Sequence, residues 1–282
     1  FSKTIDPYVG NQGRNALICT DVVALQCKSP YGYAAGASLL SLRNTTLRDY
    51  GLYAQAIYKF TDNLRLTAGI RYTGNASKSV DKQIRYRFRS DGGVDTACAS
   101  SSAMLPDCII ITPNDGGFYT TSAPTWLISL DYKPAENMLL YAKYARGYRQ
   151  GTVDARSLDP YKSFGPEKLD SYEIGGKADW RGAMPGAINV ALFYNSFPKQ
   201  QFLNTWSDAN GLATTTAIAN SAKSRSYGLE VDGGIEPTRG LRLTGGFLWL
   251  DSKLLEVTPA GAGPAGFPLV VESEQVGRPF PF

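Results

Sequence analysis

The chain has 282 residues, a formal net charge of +4 and no histidine. That length suits one large β domain or two modest ones, and the mild, dispersed charge leaves no basic patch of the kind that marks a nucleic-acid binder. Without histidine the commonest metal ligand and the usual general base are gone.

Aromatic residues make up 12% of the chain, helical periodicity is nowhere sustained, and mean hydropathy is slightly negative. No apolar run approaches the ~20 residues of a membrane helix, which leaves strands, including the weakly signalled strands of a transmembrane barrel. The first 45 residues read as one long loop. From Leu52 every even position to Phe60 is apolar or aromatic, and after the turn Thr61-Asp62-Asn63 the alternation resumes from Leu64 to Tyr72. A period of two sets each series on its own sheet face. Leu66, Ile70 and Tyr72 fall on one face, and Arg65 and Arg71 on the other.

The pattern predicts four hairpins: about 50–60 with 64–74, 123–133 with 138–149, 169–180 with 187–197, and 224–235 with 241–253. Pro and Gly at the short connections suit turn backbones. The segments between hairpins are far longer, roughly 75–120, 150–168, 198–223 and 254–276. Residues 83–89 alternate strongly enough to extend a strand. Short turns at one end and long loops at the other are the asymmetry of an outer-membrane barrel. Aromatics gather at the strand ends: Tyr58, Phe60, Tyr132 and Trp180 near the turns, and Tyr72, Trp126, Tyr144, Tyr172, Tyr194, Tyr227 and Trp249 at the other level. With six to eight residues between levels, the span is roughly 15–20 Å, about the placing of two aromatic girdles around an apolar band. The expected fold is all-β, an antiparallel transmembrane β-barrel segment of about eight full strands, residues 1–282 forming a single domain with 1–45 as an extracellular loop and 46–282 as hairpins and loops. The opening Phe1-Ser2-Lys3 reads as the tail of a strand, so the chain is expected to be a fragment of a longer protein.

The four cysteines form two local pairs, Cys19 with Cys27 and Cys98 with Cys108. An even count in close pairs suits an oxidising compartment, so two loop disulfides are expected, with four free thiols as the alternative.

Four stretches stand out: Tyr53-Ala54-Gln55 with Leu64 to Tyr72, Leu140 to Gly151, Gly165-Pro166-Glu167-Lys168-Leu169-Asp170-Ser171-Tyr172-Glu173 continuing to Lys177, and Ser226 to Asp232 leading into Leu241 to Gly246. In their order and spacing they resemble the barrel of TonB-dependent outer-membrane receptors. The resemblance covers about 45–282. It implies a plugged barrel of about 22 strands, set in the outer membrane of a Gram-negative bacterium among lipid and lipopolysaccharide. It also implies import of a siderophore, cobalamin or a sugar, energised by the TonB complex through a plug domain that is expected to be absent from this stretch of sequence.

Chemistry is sparse. Gly261-Ala262-Gly263-Pro264-Ala265-Gly266 fits GxGxxG, but Pro264 and Pro268 forbid the helix a dinucleotide site needs. No nucleophile elbow, phosphate loop or zinc motif occurs, so no catalysis, cofactor or metal site is expected. Arg65, Arg71, Lys143, Glu173, Lys177, Glu230, Asp232 and Arg242 fall on inward positions and read as charged lumen ladders, which cost little on a wet wall. Gly277, Phe280 and Phe282 resemble an aromatic-ended closing strand, but Pro279 and Pro281 argue against one. Ligand contact is best sought where strands rise into loops: Tyr148, Arg149 and Gln150, then Tyr161 and Lys162. The resemblance favours a ferric siderophore as ligand. The rival readings are a passive porin or small outer-membrane barrel, and a soluble extracellular glycan-binding β-protein.

Overall fold

A computed structural model describes residues 2–12, 18–21, 26–28, 37–87, 110–154, 157–211, 214–258, 263–264, 266, 268–271 and 276–277. Every regular element in them is a strand: β1 (Ser2–Gln12), β2 (Ile18–Asp21), β3 (Gln26–Lys28), β4 (Ala37–Lys59), β5 (Leu64–Arg87), β6 (Ile110–Ala135), β7 (Met138–Arg149), β8 (Thr152–Val153), β9 (Ser163–Phe164), β10 (Glu167–Trp180), β11 (Gly186–Ser207), β12 (Thr214–Thr238), β13 (Leu241–Val257) and β14 (Leu269–Val271). Among the described residues no helix is long and apolar enough to cross a membrane, which says nothing of a β-barrel.

The chain divides into two compact units. The smaller comprises residues 1–48, 77–119 and 153–157. In it β1 pairs antiparallel with the first part of β4, from Ser2 opposite Leu47 to Gln12 opposite Ala37, and β2 pairs with β3. Buried Ser79 shares a hydrogen bond with Thr45 at 3.2 Å, and Ser77 Oγ donates to the Tyr119 carbonyl at 3.4 Å.

The larger unit, residues 49–76, 120–152 and 158–282, is one antiparallel sheet in the order β4-β5-β6-β7-β10-β11-β12-β13, with β14 added beside β11. The two strands of each hairpin pair because a short turn returns the chain at once. At the first, Thr61 Oγ1 accepts from the amides of Asn63 and Leu64 at 3.2 and 3.0 Å. At the last, Gly240 takes φ +83°, a left-handed conformation that side chains resist. Adjacent turns are tied sideways: the Lys133 amide donates to the Asn63 carbonyl, and Asn137 and Asp179 exchange two hydrogen bonds.

The turns fall where the alternation places them, but the strands run further at their other ends. β4 begins at Ala37, β5 continues to Arg87, β6 starts at Ile110, β11 reaches Ser207 and β12 starts at Thr214. The 1–45 stretch read as a loop contains β1, β2, β3 and the start of β4, and 254–276 contains β14. Apolar alternation marks a strand only as far as one face is apolar. Polar runs such as Thr214-Thr215-Thr216 pair through their backbones and give no such signal.

Register sets the two faces apart. Tyr144, Tyr172, Tyr194 and Tyr227 stand directly opposite one another across β7, β10, β11 and β12. Tyr144 stacks on Tyr172 at 4.9 Å, and Trp249 meets Tyr227 edge-on at 5.8 Å. On the same face Ile174 is 57% exposed, Leu192 50% and Phe247 60%. An apolar surface this large and continuous is one that something must cover.

Candidate functional site

Below the level of the tyrosine row the opposite face carries the charges, and the register brings them together. Arg65 on β5 donates from Nε and Nη2 to Asp131 Oδ2 on β6 at 3.1 and 2.6 Å, and Ser129 Oγ holds the other carboxylate oxygen at 2.9 Å. Lys143 and Glu173 are register partners across β7 and β10, with Nζ to Oε2 at 2.6 Å. The Tyr141 hydroxyl donates to Glu173 Oε1 at 2.7 Å. Asn189 Nδ2 donates to Asp232 Oδ2 at 2.8 Å. A hollow of about 180 Å³ opens between these groups, lined by Tyr141, Glu173, Lys177, Asn189, Glu230 and Asp232. Arg71 donates to Thr73 Oγ1 at 3.0 Å, and Arg242 lies on β13 in the same alternation.

Glycines on this face seat aromatic rings. A Cβ on Gly175 would lie 2.5 Å from the Tyr141 hydroxyl oxygen, and one on Gly228 would meet the Trp249 carbonyl and the Phe193 ring. Their smallness makes room for a neighbouring strand's ring.

Where the strands rise toward the long connections, a second cluster forms. Buried Glu167, at the head of β10, accepts from Arg149 Nη2 at 2.8 Å and from the Gln201 amide at 2.7 Å. Gln201 Nε2 donates on to the carbonyls of Gln150 and Gly165 at 2.8 and 3.0 Å. Asn220 Nδ2 reaches the carbonyls of Pro166 and Lys199 at 3.1 and 3.3 Å. One strap thus ties β7, β10, β11 and β12 beside the connection between β7 and β10. Arg149 remains 58% exposed while its carboxylate partner is 8% exposed, so the guanidinium presents its free side outward from a fixed anchor.

The other candidates stand apart from that strap. The Tyr148 hydroxyl donates to Asn75 Oδ1 at 2.7 Å and shares a hydrogen bond with Thr121 Oγ1 at 2.6 Å. Tyr161 stacks at 4.6 Å on fully buried Trp206, and burial pushes its phenol above the ordinary value. Lys162 pairs with exposed Asp159 at 3.0 Å. Arg149 and Gln150 therefore belong to one local network, and Tyr148, Tyr161 and Lys162 each to another. Glu167, Gln201, Asn220 and Trp206 were not anticipated. Glu167 stood in a recognised stretch, and the lone Trp206 in a polar segment was a signal that the segment packs.

Cys19 and Cys27 are register partners across β2 and β3. Cys98 and Cys108 lie outside the described residues.

The chain matches the family model described as TonB dependent receptor-like, beta-barrel, over residues 11–273. It is 27% identical over 230 residues to the ferric-pyoverdine M114 receptor PbuA of Pseudomonas sp. (strain M114), an alignment covering 79% of this chain and 24% of that protein. Its fold is like that of the siderophore receptor PiuA of Acinetobacter baumannii (TM-score 0.56, 17% identity, covering 99% of this chain and 37% of that one). It is also like that of the ferric yersiniabactin uptake receptor FyuA of Yersinia pestis (TM-score 0.53, 14% identity, 81% and 30%). The chain thus spans about a quarter of the length of the curated relative it matches. An antiparallel sheet with one apolar, aromatic-banded face and one ion-paired face, matched from residue 11 to residue 273, belongs to the TonB-dependent receptor β-barrel family.

Proposed function

We propose that this chain forms part of the wall and mouth of an outer-membrane receptor that imports a scarce nutrient, a ferric siderophore before cobalamin or a sugar. The protein acts without catalysis, in a Gram-negative outer membrane, and draws energy from the TonB complex through a plug domain. The observation that carries this reading is the division of one sheet into two unlike faces. The exposed apolar face meets lipid, where unpaired charge is expensive. The face of Lys143–Glu173, Arg65–Asp131 and Asn189–Asp232 lines a wet lumen, where charge is cheap. The relatives named above for iron-carrier uptake support the choice of ligand. With no histidine in the chain, recognition by this wall falls on the organic carrier. Arg149, half free above its buried anchor, is the best placed cation to meet an anionic or catecholate carrier. A guanidinium so held gives up little side-chain entropy on binding.

The test is uptake of radiolabelled ferric siderophores by cells expressing the full-length receptor, with and without the inner-membrane energising complex. The reading expects saturable uptake that stops when the complex is removed. Uptake that persists without it and rises linearly with concentration means a passive porin.

A further inference from the structure

One rung beyond the tyrosine row, toward the long connections and on the same face, register aligns Trp126, Arg146, Asp170, Ser196, Arg225 and Lys253 across β6, β7, β10, β11, β12 and β13. The two ends of this row differ. Arg146 is fully engaged: its Nε and Nη2 donate to both oxygens of Asp170 at 2.7 and 2.6 Å, and its guanidinium lies 4.7 Å over the Trp126 ring. The Tyr144 hydroxyl adds a further hydrogen bond to Asp170 at 2.8 Å.

Arg225 has no such partner. Its guanidinium lies 5.4 Å over the Tyr227 ring, its Nε is buried without an acceptor, and no carboxylate pairs with it among the described residues. Directly opposite stands a second cation, Lys253, also without an ion pair there. Asp251 lies diagonally and pairs with neither, and one rung further Lys223 stands opposite Glu256 without an ion pair among the described residues. Like charges directly opposite on one sheet face repel, and an anion held between them would relieve that repulsion.

We infer that Arg225 and Lys253 form a site for the phosphate of a phosphorylated outer-leaflet lipid headgroup. The inference rests on the proposed placing of the apolar face against lipid. The tyrosine row then marks the boundary between acyl chains and headgroups, and the next rung lies among the headgroups. A guanidinium fork beside a mobile ammonium suits the several oxygens of a phosphate monoester or diester. Opposite side chains on neighbouring strands start ~5 Å apart, close enough for both to reach one phosphate. Tyr227 and Trp249 just below offer rings against which the first part of the acyl chains can lie.

The full-length receptor, purified from outer membranes in mild detergent, provides the test. Retained phosphorylated glycolipid is measured by native mass spectrometry for the wild type, the double variant R225Q/K253Q, and K177Q as a cation removed from the other face. Rebinding is then measured with a bisphosphorylated glycolipid, the same lipid after dephosphorylation, and inorganic phosphate alone. The expected result is at least about tenfold less lipid on the double variant, unchanged retention on K177Q, and rebinding only of the phosphorylated lipid. Equal retention by the double variant overturns the site, as does equal binding of the dephosphorylated lipid. Capture of inorganic phosphate as tight as capture of the lipid makes this a free-anion site and also overturns it. Heat-modifiable folding is recorded for every sample. Wild-type protein that does not fold as a membrane barrel defeats the membrane reading itself, a different failure from loss of lipid by a folded variant.

Discussion

Glu167 shows how one carboxylate organises a strand end. Two donors from different strands, Arg149 Nη2 and the Gln201 amide, converge on its Oε2, and the residue is buried. Glu167→Ala leaves a half-buried amide without an acceptor and a guanidinium without a tether, which costs about 1–3 kcal/mol. Limited proteolysis should then cut the 150–166 connection sooner, while the folded barrel on a gel stays intact. Arg149→Ala should weaken ligand binding by direct titration and leave that connection largely protected, because Gln201 still holds Glu167. The sequence marks Arg149 and Gln150 as neighbours at a strand end, and that much is local. It does not mark Gln201, which lies 34 positions beyond Glu167 and reaches it only through strand pairing. Nor does it show that Tyr161 is engaged in a stack. The pairing with Trp206 depends on where a loop lies, and no periodicity records that.

At the scale of the strand, the two faces make opposite demands on the same substitution. Leu192 is half exposed on the apolar face, and Asn189, three residues earlier, lies on the charged face beside Asp232. Leu192→Arg or Leu66→Arg should cost roughly 2–4 kcal/mol or block assembly, whereas Asn189→Arg and Thr67→Arg should be tolerated. The measurement is the fraction of heat-modifiable barrel, and equal damage from both pairs contradicts the face assignment. The hairpin of β2 and β3 carries its own test. Opposed residues of an antiparallel pair have Cα atoms ~4.5–5.5 Å apart, within the span a disulfide bridges. Peptide mapping without reductant should therefore recover Cys19 linked to Cys27, and free thiols or a link from Cys19 to Cys98 would contradict it. Alternation and turn residues made the four hairpins and their short connections legible from sequence. β1 was not, because Ser2 to Gln12 mixes Pro7, Gly10 and polar residues, and its partner β4 begins only after a connection with no sustained two-residue alternation.

Across the whole molecule, the glycines show how a pattern in the sequence can have a cause that only the sheet reveals. In the sequence Gly175 and Gly228 stand beside long charged residues such as Glu173, Lys177 and Glu230, with no sign of what fills the space above them. In the sheet each lies beneath the ring of a neighbour, Tyr141 or Phe193. The width of the wall is expressed by eight long strands in one continuous antiparallel order within the larger unit. The unbroken register of β10 between β7 and β11 also governs how such a chain can change in length through descent. Side chains alternate strictly, so inserting one residue within β10 would turn the rest of that strand onto the wrong face. Gain or loss in pairs would keep the alternation. The connections at the far ends obey no such parity, since nothing there alternates between two solvents. Length differences among descendants of this gene should therefore be even-numbered or absent in the strands and unrestricted in the loops, so that the mouth can be rebuilt repeatedly upon an unaltered wall.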